Sequence, residues 1–280
     1  MKKFKMVEKT PDQNKEIINV KEFPEKITED VIKNVVKISL GNGAGSGFFC
    51  KICNNNKTIP VLITCYHVLN EEYIKNNPFL LVSYNSFEKP KEIIDIVINL
   101  NIQRIIFQDK ELDATIIEIK EEDNLDIYSF LEIDSSINVN NPQILNHKVY
   151  LLHYPKGVDE VRYCQGNIID LIDKTNFKAN YWSEPGSSGS PIFDYENDLV
   201  IGIHSKGNKK KENNNKAYGI ILKYAVEEFI KKKREEINSY KNLYPQSNTM
   251  DMIYIIQKNK SINMFCGKFV KNYGEKCKII

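Results

Sequence analysis

With 280 residues, 41% of them hydrophobic and 27% charged, the chain can bury one large domain or two modest ones, and wholesale disorder is excluded. Its 39 basic and 37 acidic side chains leave a net charge of +2, which gives no general electrostatic reason to expect nucleic acid or an anionic membrane as partner. No apolar run follows the lysines of Met1–Thr10 and no window approaches about 18 uncharged apolar residues, so the reading is a cytoplasmic protein without signal peptide or membrane span, its six cysteines free thiols.

Residues 1–30 are polar, with little periodicity, and read as a loosely ordered lead-in. From Val35 the texture changes to short apolar runs separated by turns. Strands are predicted at Val35–Leu40, Gly47–Ile52, Pro60–Thr64, Phe79–Tyr84, Ile93–Ile98, Arg104–Phe107 and Ala114–Ile119. They continue at Lys148–His153, Val161–Ile169, Pro191–Phe193, Leu199–His204 and Tyr218–Leu222. Runs of this length without intervening long helices point to an all-β sandwich or barrel, not to βαβ units. Asn54–Lys57 has the composition of a hairpin turn. A helix is predicted around Ala225–Asn238, with Glu227–Lys231 and Glu228–Lys232 as i,i+4 pairs and the basic run Lys231–Arg234 as a solvated face. After a linker at 240–250, residues 250–280 read as a small appended β segment. Cys50 and Cys53 form a C-x-x-C, but the second pair that a zinc site needs is missing, so neither metal nor cofactor is expected.

Three segments carry candidate chemistry. Glu184-Pro-Gly-Ser-Ser-Gly-Ser-Pro191 places Ser188 between two glycines. Gly186 lets the backbone turn so that its N–H and that of Ser188 converge on one point, which is what a tetrahedral oxyanion requires. Position 190 is Ser, so this is not the G-x-S-x-G elbow of α/β hydrolases. Alone, such a stretch is more often simply a loop. A serine hydroxyl needs a base, and of four histidines His67 stands directly after an apolar strand, in Val61-Leu-Ile-Thr-Cys-Tyr-His-Val-Leu69. Asp113, in Glu111-Leu-Asp-Ala-Thr-Ile-Ile-Glu-Ile119, supplies a carboxylate just before another strand. Singly, a strand-end histidine or aspartate is more often structural; the conjunction is much less common.

Taken together with Gly45-Ser-Gly-Phe-Phe49, Ile201-Gly-Ile-His-Ser-Lys-Gly207, Leu151-Leu-His-Tyr-Pro-Lys-Gly157 and Gln165-Gly166, the order His67, Asp113, Ser188 resembles the chymotrypsin-fold, trypsin-like serine peptidases over roughly residues 35–225. Among these it is most similar to the bacterial glutamyl endopeptidases. The resemblance implies two packed antiparallel six-stranded β-barrels in a domain over 31–225, barrel one at about 31–130 and barrel two at about 140–225, followed by a helix over 226–240. It implies a cofactor-free serine endopeptidase acting on protein or peptide substrates, with His67 as base, Asp113 orienting it, Ser188 as nucleophile and Gly186 and Ser188 N–H groups as oxyanion hole. It further implies that Ser205 backs Asp113, that Ser205–Gly207 lines the substrate backbone, and that Ser183 and His204 wall a pocket for Glu or Gln. The bland alternative for His204 is a buried strand histidine.

Two features depart from the family. Digestive members carry an acid before the nucleophile, which pairs with a freed N-terminus on activation; here that residue is Ser187. The disulfide beside the base is also missing, since Val68 follows His67. A barrel with little turnover that serves as a protein-binding scaffold is the competing reading. Oligomeric state is not legible.

Overall fold

The computed structural model describes residues 5–8, 19–22, 24 and 26–243, except 42, 55–56, 87–91, 127–128, 135, 138–143 and 208–215. Inside the lead-in, β1 (Lys5–Glu8) pairs antiparallel with β2 (Asn19–Glu22), and a short helix α1 (Glu29–Lys33) precedes the first long strands. The first sheet contains β3 (Val35–Leu40), β4 (Gly43–Asn54), β5 (Lys57–Thr64), β6 (Phe79–Asn85), β7 (Ile93–Asn99), β8 (Ile106–Asp109), β9 (Ala114–Glu118) and β10 (Leu131–Glu132). A helix α2 (Glu71–Asn76), capped by the Asn70 side chain on the Tyr73 N–H, joins β5 to β6. Asn54 pairs with Lys57 as a hairpin end, with the two residues between them outside the described set.

The strands run β7-β6-β3-β4-β5-β9-β8, all antiparallel. β4 is twice as long as β3, so beyond Phe48 one of its edges is left open. Leu131 and Glu132 fill that edge, running parallel to Cys50 and Lys51. Ala114-Thr-Ile-Ile-Glu118 is buried at every position, as its continuous apolar run requires of a strand covered on both faces. β7 is an edge strand and mostly exposed.

The second half holds β11 (Lys148–His153), β12 (Arg162–Leu171), β13 (Asn176–Ala179), β14 (Pro191–Asp194), β15 (Val200–Gly207) and β16 (Ala217–Ile221). These close into a barrel in the order β11-β12-β13-β16-β15-β14. Its interior is filled by Val149, Leu151, Ile168, Phe177, Ile192, Ile201 and Ile221 among others. The whole is mostly β, a closed six-strand barrel beside a second sheet with one C-terminal helix, as in the chymotrypsin-like fold. The expectation of two six-stranded barrels is refined in the first half. Among the described residues, the end strands β7 and β8 of the first sheet are not paired to each other, and β10 adds a parallel strand.

Helix α3 (Leu222–Leu243) is longer than predicted and packs on both halves through Leu222, Ala225 and Phe229. Its basic run is not simply solvated. Lys232 Nζ donates to Ile106 O (2.9 Å), Lys233 Nζ to Glu118 Oε1 (3.1 Å) and Arg234 to Asn54 Oδ1 (3.1 Å). With Lys232 drawn to a strand carbonyl, Lys231 takes Glu228 at i,i+3 in place of the predicted pairs. Among the described residues no helix is long and apolar enough to cross a membrane. The segment 250–280, with Cys266 and Cys277, lies outside the described residues.

Candidate active site

His67 stands in a turn that opens where β5 ends. The N–H groups of Val68 and Leu69 both return to Cys65 O, at 3.2 and 3.1 Å. The Leu69 carbonyl in turn accepts from Thr115 Oγ1 (2.8 Å) and Gln108 Nε2 (2.9 Å), which ties the turn to β9 and β8. Asp113 closes the β8–β9 hairpin in the left-handed region, φ 49°, a conformation that aspartate tolerates better than most residues. Because Thr64 of β5 lies opposite Thr115 of β9, the two strand ends bring the histidine and the acid side by side.

The contact between them is close. His67 Nδ1 lies 2.9 Å from each carboxylate oxygen of Asp113, and the His67 backbone N–H adds a bond of 3.0 Å to Oδ1. A carboxylate can only accept, so Nδ1 carries the proton and the lone pair resides on Nε2. Ser205 Oγ donates to Asp113 Oδ2 at 2.7 Å. Burial pushes the Asp113 carboxyl up, but the hydrogen bonds and charge of His67, together with the Ser205 hydroxyl, outweigh it and hold the group below its ordinary value.

Ser205 reaches this position through a bulge. The β15–β16 register runs His204↔Gly219 and then Lys206↔Tyr218, so Ser205 is the extra residue. Its backbone carbonyl accepts from Ser188 Oγ at 2.8 Å. One residue therefore touches both Asp113 and Ser188. Among the described residues no hydrogen bond joins Ser188 to His67; the serine hydroxyl is turned to Ser205 O instead.

Gly186 and Gly189 on either side of Ser188 adopt φ +93° and +89°, which glycine alone accepts without cost. Among the described residues neither the Gly186 N–H nor the Ser188 N–H has an acceptor. The loop is clamped from the first sheet by Ser46, which is fully buried. Ser46 N–H donates to Ser188 O (2.8 Å), its Oγ donates to Gly186 O (2.8 Å) and accepts from Tyr154 N–H (3.1 Å), and its carbonyl accepts from Thr64 Oγ1 (2.7 Å).

A model of the trypsin-like peptidase domain matches residues 45–203, more than half of the sequence. The chain belongs to this family. A comparison with curated proteins finds no match. Similar solved structures include a serine endoprotease from Yersinia pestis, at 17% identity over 71% of this chain and 64% of that one, TM-score 0.49. A protease from M. tuberculosis in its active form is similar at 16% identity over 68% and 76%, TM-score 0.46. An inactivated protease paralogue of the scabies mite is similar at 15% identity over 72% and 97%, TM-score 0.49. The chain spans less than two thirds of the Yersinia protein's length.

The remaining predicted residues of this trypsin-like peptidase domain are placed as follows. Ser183 Oγ sits so close to Gly207 that a Cβ there would meet it at 2.5 Å. His204 is buried, with Nδ1 3.0 Å from Tyr181 Oη. Burial, then the neighbouring His67, pushes the His204 imidazole down to about 3, while burial holds the Tyr181 phenol protonated far above its usual range. Both groups are therefore neutral, and in the tautomer in which Tyr181 donates to Nδ1 the single imidazole proton is on Nε2. No hydrogen bond joins Ser183 to His204.

Two contributors have no reading in the sequence, and a third is legible there only as a departure from the family. Ser46 was visible only as part of Gly45-Ser-Gly47. Tyr181 gave no signal of its own. Ser187, where digestive relatives carry an acid, is fully buried with its Oγ 2.6 Å from His153 Nδ1 and accepting from the Glu184 N–H at 3.1 Å. Burial, followed by the charges of His204 and Arg162, pushes His153 down to about 3, so this support for the nucleophile loop is a neutral hydrogen bond. The polar His153 inside the apolar run Leu151-Leu-His-Tyr154 was its only trace in the sequence.

Proposed function

We propose that the chain is a serine endopeptidase that cleaves through an acyl-enzyme, with a preference for Glu or Gln before the scissile bond. Ser188 Oγ attacks the carbonyl, His67 Nε2 takes its proton and later delivers it to the leaving amine, and Asp113 holds the imidazole tautomer. The N–H groups of Gly186 and Ser188 receive the oxyanion. The observation that carries this reading is the two-oxygen contact of Asp113 with His67 Nδ1, which leaves Nε2 as a base. For attack, Ser188 Oγ has to leave Ser205 O and turn to His67 Nε2. Such a rotation is fast, and the bond exchanged is worth only about 1 kcal/mol. Catalytic hydrogen bonds commonly align only when substrate is bound.

A fluorophosphonate probe is expected to modify wild-type protein stoichiometrically at Ser188 and to leave Ser188→Ala unmodified, as read by intact-protein mass. Folded protein that takes up no probe would leave the scaffold reading standing.

The specificity rests on a neutral donor. His204 Nε2–H and the Ser183 hydroxyl suit a carboxylate or an amide carbonyl, and neither attracts a cation. Across peptides that differ only in the residue before the cleaved bond, kcat/KM for Glu or Gln is expected to exceed that for Lys, Arg or Leu by about tenfold or more. Preference for a basic or bulky apolar residue would remove the pocket assignment and leave the triad untouched.

A further inference from the structure

A sulfur lies beneath the His67–Asp113 pair. Cys65 is fully buried two residues before His67, and its Sγ donates to His204 O at 3.3 Å. One donor atom each from Cys65, His67 and Asp113 lies within 4.8 Å of the other two. Thiolate sulfur, imidazole nitrogen and carboxylate oxygen form a common donor set for a tetrahedral borderline-soft ion. At zinc–ligand lengths of about 2.0–2.3 Å, the donor atoms of one ion are roughly 3.5 Å apart, so small side-chain adjustments close the site.

We propose that Cys65, His67 and Asp113 bind a thiophilic divalent cation of the Zn2+ type, and that occupancy switches the peptidase off. The binding claim stands on the three side chains; the switch rests on the triad reading above. The ion replaces the proton on His67 Nδ1, and that proton moves to Nε2. Cys65 loses its thiol proton to solvent, so one proton is released for each ion bound. The thiol need not be ionised beforehand, because the ion itself displaces the proton on coordination. One thiolate and one carboxylate then neutralise the 2+ charge, and water completes the coordination. With Nε2 protonated, the imidazole has no lone pair to accept the Ser188 proton, and Asp113 no longer orients it. The ion enters past the solvent-facing pair: the His67 side chain is 48% exposed and that of Asp113 24%, while Cys65 is fully buried.

The test uses the full chain and Co2+ as a spectroscopic stand-in. Co2+ is expected to produce a thiolate-to-cobalt charge-transfer band with one ion per chain. Zn2+ abolishes the band, and Cys65→Ala and Cys65→Ser lack it while Cys53→Ala retains it. With peptide substrate, Zn2+ is expected to inhibit wild type at least about tenfold more strongly than either Cys65 variant. No band in wild type, or a band that survives in Cys65→Ala, overturns the site. Equal inhibition of wild type and Cys65→Ala overturns the switch. A band on a protein that has no peptidase activity would support the site and count against the serine-peptidase reading alone.

Discussion

Exchanging Asp113 for Asn is expected to lower kcat about 10,000-fold while the protein remains folded. The carboxylate accepts from Nδ1 with both oxygens, from the His67 N–H and from the Ser205 hydroxyl. An asparagine of the same shape must place an NH2 among these donors. The tolerable arrangement turns that NH2 toward Nδ1, which then becomes the acceptor, and the imidazole proton moves to Nε2 where the lone pair was needed. KM should change little, since Asp113 meets the histidine and not the substrate. A second readout follows from acid titration. Asp113 is held below its ordinary value, so the native state favours its ionised form. That contribution is complete above about pH 4, the unfolded carboxylate value, and is lost as pH falls through the lower native one. Melting curves of wild type and Asp113→Asn should therefore converge as the medium is acidified below about pH 4. Parallel curves, or a loss of kcat below about tenfold, would contradict the role given to Asp113.

Gly189→Ala is expected to destabilise the fold by about 2–5 kcal/mol, a Tm lowered by roughly 5–20 °C in a thermal melt, and to abolish activity in what remains folded. Gly189 has φ +89°, and a Cβ there would fall 2.1 Å from Ser46 O and 2.2 Å from Thr64 Oγ1. None of these neighbours can give way. Ser46 O already accepts from Thr64 Oγ1, Ser46 N–H holds Ser188 O, and the Gly189 N–H is bonded to His204 O at 2.8 Å. The loop is thus wedged between β4 and β15, and a methyl group separates the two halves of the molecule where the nucleophile sits. A variant that melts within about 2 °C of wild type would show that the loop is less tightly held than this packing implies.

Most strands were legible because their apolar runs are four to eight residues long and end in polar turns. Those that escaped lack such runs. Asn176-Phe-Lys-Ala179 buries only Phe177 and Ala179, and its strand character comes from its partners on β12 and β16. Leu131 and Glu132 are a strand only because β4 outruns β3. The contiguous motifs around His67, Asp113 and Ser188 could be read directly. The supports that arrange them could not, since Ser46, Tyr181 and His153 act across 142, 23 and 34 residues of chain on Ser188, His204 and Ser187. The bulge that turns Ser205 toward both Asp113 and Ser188 is likewise a property of strand pairing, which no local pattern announces.

The neutral bond between His153 and Ser187 bears on when the protein becomes competent. Both partners, and the β15 backbone that anchors Gly189, follow His67 and Asp113 in the chain. During synthesis the segment bearing His67 and Asp113 emerges first and has no nucleophile to serve. Closure of the second barrel then sets the loop in place. That support is uncharged on both sides. On the proposed reading the nucleophile loop is held by a neutral partner of its own barrel, where digestive relatives use a charged pair.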